Sequence, residues 1–130
     1  MTQWPTPSVE LVVPAHEDFV APIRALTRSA AVLADMSADD VEELQMAIDE
    51  AATLLLPLVD ADDKKLHATI DVGVGTVRIA LRARCMPGAK VDESNLAWTL
   101  LRALDAGVTV SEHGSDLSIA ISRSRLDDSL

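Results

Sequence analysis

The first two predicted helices of this 130-residue sequence carry charged side chains that could do chemistry, among them Arg24 and Glu50. Glu50 follows Asp49 on an acidic helix and has the side chain of a general base. Arg24 carries a planar, permanently charged fork that suits bidentate capture of a partner's carboxylate. The alternative for both is an ordinary solvated position, an acidic helix face for Glu50 and one more surface arginine for Arg24.

The histidines and the cysteine argue against a metal site. His16, His67 and His113 fall on different predicted elements and lack the paired spacing of zinc ligands. Cys85 has no second cysteine to form an internal disulfide, and no neighbouring histidine or basic cluster would activate its thiol. We therefore expect no metal, and a single cysteine is typical of a protein of the reducing cytoplasm.

Composition and charge narrow the class of partner. Aromatic residues make up only 2% of the chain, which removes the stacking platforms of single-strand nucleic acid binders. The formal net charge of -10 repels both phosphate backbones and anionic lipid, and no apolar run approaches the ~18 residues of a membrane span. We expect no nucleic acid and no membrane as partners. A basic protein is the partner that this charge favours.

Hydrophobic periodicity predicts the elements that must position Arg24 and Glu50. Apolar residues alternate in the strands and recur every three or four positions in the helices, giving the order β, α, α, β, β, α, β, β. This order predicts an α/β two-layer sandwich, with a mixed sheet of about five strands and the helices on one face. We expect one domain over residues 8–123, with flexible tails at 1–7 and 124–130.

The second predicted helix carries a resemblance to a known family. Its segment Leu44-Gln45-Met46-Ala47-Ile48-Asp49-Glu50-Ala51-Ala52-Thr53 resembles the N-box helix of the anti-sigma factor serine kinases. These are small members of the GHKL superfamily of histidine-kinase-like ATPases, and the resemblance extends over nearly the whole chain. It implies the histidine-kinase-like ATPase fold, ATP and magnesium as family cofactors, and Glu50 as the general base.

The sequence departs from the family at three nucleotide contacts. Leu54 stands where the family has the magnesium-holding Asn, and leucine offers no oxygen ligand. After the predicted strand that ends near Arg84, Cys85–Gly88 lacks the adenine-recognising Asp, while the matching sequence Asp71–Gly75 falls one strand too early. The segment Ser94–Trp98 lacks the glycines of the phosphate-binding lid. We therefore expect a degenerate ATP site without a cofactor, filled by the apolar run 54–59.

The resemblance also implies partners and leaves three functions open. In the family, an arginine on the first helix contacts both a sigma factor and the antagonist that competes with it, and an ungapped match places it at Arg24. The first hypothesis is an anti-sigma factor, homodimeric, that sequesters a sigma factor in a partner-switching system. The second is an active serine kinase that phosphorylates the antagonist with ATP. The third is an acidic α/β adaptor unrelated to transcription, which shares the fold alone.

Overall fold

The chain folds into five strands and three α-helices in the predicted order. A computed structural model describes residues 7–104 and 106–125. In chain order, the elements are β1 Ser8–Pro14, a 3-10 turn Glu17–Phe19, α1 Val20–Leu33, α2 Ala38–Leu55, a 3-10 turn Leu56–Leu58, β2 Lys65–Gly73, β3 Thr76–Arg84, α3 Leu96–Ala103, β4 Gly107–His113 and β5 Asp116–Ser124.

The strands form one five-stranded sheet in the order β1-β2-β3-β5-β4. The predicted number of about five strands is confirmed. The predicted mixture of parallel and antiparallel pairs is wrong, because all four neighbouring pairs are antiparallel. The strands β3 and β4, which α3 connects, do run in the same direction. They are not neighbours, because β5 turns back after a tight hairpin and inserts between them.

The helices cover one face of the sheet, as predicted. Alternate residues of β2 and β3 point towards the helices and are fully buried, including Leu66, Ile70 and Leu81. The helix α2 lies between α1 and α3 and buries Leu44 and Ile48 against the sheet. Its apolar residues recur at intervals of three and four, so one stripe of the helix faces the core and the opposite stripe faces solvent.

The helix starts agree with the capping signals in the sequence. Ser37 Oγ accepts a hydrogen bond from the Asp40 backbone N–H at 3.1 Å, and the Asp40 carboxylate accepts from the Ser37 backbone N–H at 3.2 Å. This reciprocal capping box fixes the first turn of α2. Asn95 caps α3 by a single bond, since its side-chain oxygen accepts a hydrogen bond from the Ala97 backbone N–H at 2.8 Å.

A buried ion-pair network joins the start of α2 to the end of β5. Arg123 points into the core from the inner face of β5, and its side chain is only 7% exposed. Its guanidinium lies 2.8 Å from the Asp40 carboxylate and 2.9 Å from that of Glu43. Burial by itself would raise the pKa of Asp40, but hydrogen bonds from Arg123 and Ser37 outweigh it and hold this pKa below its ordinary value of 3.8.

The lowered pKa of Asp40 predicts how stability depends on pH. The unfolded chain binds a proton at Asp40 more readily than the folded chain does, so ionised Asp40 stabilises the fold above pH 3.8. This contribution is lost as the pH falls below 3.8 through the folded-state pKa. We expect the destabilisation caused by Asp40→Asn, measured by urea unfolding, to be large at pH 7 and to shrink as the pH is lowered to about 3. A pH-independent difference would contradict the assignment.

The two predicted tails lie largely outside the described residues. Where they are described, they are bonded to the sheet: the Pro7 carbonyl accepts from the Val72 N–H at 2.9 Å, and Ser124 pairs with Thr76. The Arg125 N–H donates to the Gly75 carbonyl at 2.7 Å. The sheet therefore extends slightly beyond the predicted 8–123 core at its carboxyl end.

Candidate partner-binding site

Arg24 lies on the side of α1 that faces α2, where it is paired rather than free. Its Nη1 is 2.7 Å from Oδ1 of Asp49, and the two side chains are 38% and 48% exposed. A second contact lies beside the pair, since Gln45 Nε2 donates to the Arg24 carbonyl at 3.3 Å. The two helices are thus joined by polar contacts at the level of Arg24, and the remaining guanidinium nitrogens have no partner among the described residues.

The sequence did not identify Asp49 as the partner of Arg24. It placed Asp49 on the polar side of the second helix, among several other carboxylates. The two residues are 25 positions apart, and no local pattern distinguishes Asp49 from Glu42 or Glu50 as the acid that Arg24 meets. The pairing depends on how α1 docks against α2.

Glu50, the candidate general base, follows Asp49 on α2 and is partly exposed. It makes no hydrogen bond or ion pair with any described residue. The two candidate residues, Arg24 and Glu50, therefore belong to the same pair of helices, but Arg24 contacts the neighbouring acid and not Glu50 itself.

The solvent side of α2 is an acidic face with a methionine at its centre. Asp39, Glu42, Met46 and Asp49 lie on one stripe because they are spaced by three and four residues, and all four are exposed. We call these four residues the acidic α2 face. Met46 is 56% exposed in the middle of it. By contrast, α1 contains no Asp or Glu.

The residues at the expected magnesium position do not fit a cation. Leu54 is 3% exposed and packs in the hydrophobic core with Leu55. A hard cation such as magnesium takes oxygen ligands, and a buried leucine has none to offer. Leu56, Leu58 and Val59 pack against the same core.

The loop after β3 is hydrogen-bonded through its backbone to the segment that follows α2. Cys85 pairs with Val59 in an isolated antiparallel bridge, and the Met86 N–H donates to the Leu58 carbonyl at 3.0 Å. This loop has no carboxylate at the position where the family has its adenine-recognising Asp. Burial raises the pKa of the Cys85 thiol, so the thiol stays protonated and is a poor nucleophile.

The other two sequence motifs have structural roles. The segment Asp71–Gly75, which matches the family's Asp-x-Gly-x-Gly motif, forms the end of β2 and the β2–β3 turn. Gly75 lies in this turn with a φ of 70°, a backbone conformation that favours glycine. Asp71 lies 3.9 Å from Arg78 across the hairpin. This confirms that the motif belongs to the earlier hairpin. The segment 94–98 begins α3 and contains its cap, Asn95.

Two kinds of site are not found in residues 7–104 and 106–125. No group of three or more His, Cys, Asp or Glu side chains is arranged to hold a metal ion there. None of the described helices is both long enough and apolar enough to cross a bilayer.

Comparison with known proteins supports the fold. No family model matches the sequence, and no curated protein matches it. The structure is similar to the crystal structure of the RsbU and RsbW domains of Rv1364c from Mycobacterium tuberculosis, with a TM-score of 0.68 and 18% sequence identity. The match covers 95% of this chain and 35% of that chain, so this chain spans about a third of the length of the chain it matches. This likeness is one of fold, and it confirms the predicted α/β, RsbW-like fold with a five-stranded sheet and three α-helices.

Proposed function

We propose that this protein is an anti-sigma factor that sequesters a sigma factor by binding it, without chemistry. The observation that carries the proposal is Arg24, a half-exposed guanidinium presented at the α1–α2 surface of an RsbW-like fold. A competing antagonist protein would release the sigma factor by binding an overlapping surface. The direct experiment is to purify each alternative sigma factor of the source genome and measure binding to this chain one at a time by surface plasmon resonance.

Charge supports a basic partner. The chain has a formal net charge of -10, and the acidic α2 face concentrates part of it beside Arg24. Long-range electrostatic attraction increases the rate at which a basic protein associates with this surface. We extend the proposal to a cytoplasmic homodimer, as in the family. Binding of a partner unrelated to transcription, with no sigma factor bound, would favour the acidic adaptor instead.

Arg24→Ala is the first test of the residue-level proposal. Truncating a hydrogen-bonded charge at a desolvated contact costs about 2 kcal/mol or more, so we expect sigma factor or antagonist binding to weaken by about thirtyfold. Arg24→Lys should also weaken binding, because an ammonium cannot reproduce the planar fork. The measurement is the equilibrium Kd at physiological salt.

Arg28→Ala is the matched control for this prediction. Arg28 lies one turn further along α1 and is exposed, and it makes no ion pair or hydrogen bond with another described residue. Its loss should therefore cost much less than that of Arg24. Equal losses from the two alanine variants would indicate a diffuse charge effect, and no loss from either would remove the support for Arg24.

The active serine kinase is the second candidate, and Glu50 favours it as a partly exposed carboxylate without a described partner. Leu54 opposes the kinase, because a leucine at the expected magnesium position offers no oxygen ligand.

We therefore expect millimolar magnesium-ATP to leave the melting temperature of the protein unchanged. A ligand at 100 times its Kd would add about 2.7 kcal/mol of stability, which thermal denaturation detects easily. A magnesium-dependent rise in melting temperature would revive the kinase.

A further inference from the structure

We propose that a partner recognises Arg24 and Asp49 together, through a segment that offers a carboxylate to Arg24 and a basic side chain to Asp49. The inference rests on the proposed function and adds Asp49 as a residue that both orients Arg24 and contacts the partner. It also describes the chemistry of the partner: an amphipathic segment, basic overall, that carries an acid and a base close together beside an apolar side chain.

The first support is that Asp49 holds the guanidinium of Arg24 in place. The 2.7 Å contact uses Nη1 and leaves the other nitrogens available, and both side chains remain partly exposed. The Gln45 hydrogen bond to the Arg24 carbonyl joins the same two helices next to the pair. A long side chain that is already held in place before binding loses less conformational entropy when the partner binds. Arg28 has no such contact.

The second support is that a carboxylate alone is a poor ligand for this pair. A partner carboxylate that displaced Asp49 from Arg24 would replace one ion pair by another, so the exchange would add little to the binding free energy. It would also leave Asp49 without its counterion in a chain whose formal net charge is already -10. A partner that brings a basic group to Asp49 avoids both losses, since each member of the pair then gains a contact.

Met46 supplies the third support. It lies one helical turn before Asp49 on the acidic α2 face, and its side chain is 56% exposed. An apolar partner side chain on Met46 would exclude water from the neighbouring ion pair, and electrostatic contacts strengthen when water is excluded. The partner segment therefore needs an apolar side chain next to its charged pair.

A charge swap tests the polarity of the pair. The double variant Arg24→Asp with Asp49→Arg keeps the net charge at -10 and allows an ion pair between the same positions. The probe is the sigma factor that binds the wild-type chain in the panel described above. We expect the swapped protein to fold with a similar melting temperature and to bind this sigma factor at least about tenfold more weakly. The matched control swaps Arg82 and Asp116, an exposed pair 3.2 Å apart on the other face of the sheet, and should leave Kd unchanged.

The outcomes separate the inference from the proposed function. If the swapped protein binds the sigma factor as well as the wild type does, the polarity inference is overturned and the anti-sigma function stands. If no sigma factor binds the wild type, both are overturned. Should the swap disturb folding, Asp49→Asn and Asp49→Glu replace it. The Asn variant should bind several-fold more weakly and the Glu variant should restore binding; an Asn variant with wild-type Kd would refute the role of Asp49.

Discussion

Arg123→Ala should lower the free energy of unfolding by about 3–5 kcal/mol, the cost of removing one partner from a buried ion pair. Arg123 and Asp40 are only 7% and 4% exposed at their side chains, so the lost guanidinium leaves the Asp40 charge without its counterion in a site largely closed to solvent. The capping bonds from Ser37 would remain, but they do not neutralise the charge. Urea unfolding followed by circular dichroism at pH 7 measures the loss.

The control for this prediction is an exposed ion pair. Arg82 lies 3.2 Å from Asp116, but the two side chains are 46% and 37% exposed. Exposed pairs contribute about 0–1 kcal/mol, so Arg82→Ala should be nearly neutral. The double variant Asp40→Asn with Arg123→Ala should be less destabilised than the sum of its single changes, because each single change breaks the same contact. Equal losses from Arg82→Ala and Arg123→Ala would contradict the network.

Leu54→Asn should be the second large effect, in stability rather than in nucleotide binding. This substitution introduces the residue type that the resembled family uses for magnesium, but at a position whose side chain is 3% exposed in the core. Losing a buried leucine costs about 2–5 kcal/mol, and an amide buried without partners adds to that cost. We expect a loss of at least about 3 kcal/mol by urea unfolding.

The same variant should gain no stability from magnesium-ATP. Cys85–Gly88 still has no carboxylate and the segment 94–98 still has no glycine, so two of the family's nucleotide contacts stay missing. Leu33→Asn is the matched control, since Leu33 is 80% exposed at the end of α1 and should change stability by less than about 0.5 kcal/mol. A Leu54→Asn protein of wild-type stability that gains a magnesium-dependent rise in melting temperature would show that the site is merely latent.

The number and type of the elements follow from the sequence because their signals are local. Apolar residues recur at every third or fourth position in α2, and Ser37 with Asp40 marks its first turn. Alternation in Leu66–Val72 and Val77–Ala83 marks a hairpin. Each of these signals depends on residues that are close together in the sequence. Over such short distances the geometry of a helix or strand alone decides which side chains share a face. The departure at Leu54, by contrast, is visible only against the motif of the family that the helix resembles.

Only the tertiary structure decided which charges meet and which strands pair. Arg24 and Asp49 are 25 positions apart, and Arg123 and Asp40 are 83 apart. With 11 basic and 21 acidic residues in the chain, pattern alone leaves many pairings equally acceptable. The antiparallel sheet likewise depends on β5 lying between β3 and β4, which no residue spacing specifies. Such contacts arise when helices and strands dock to bury their apolar faces, and the charged side chains then pair with whatever that packing places beside them.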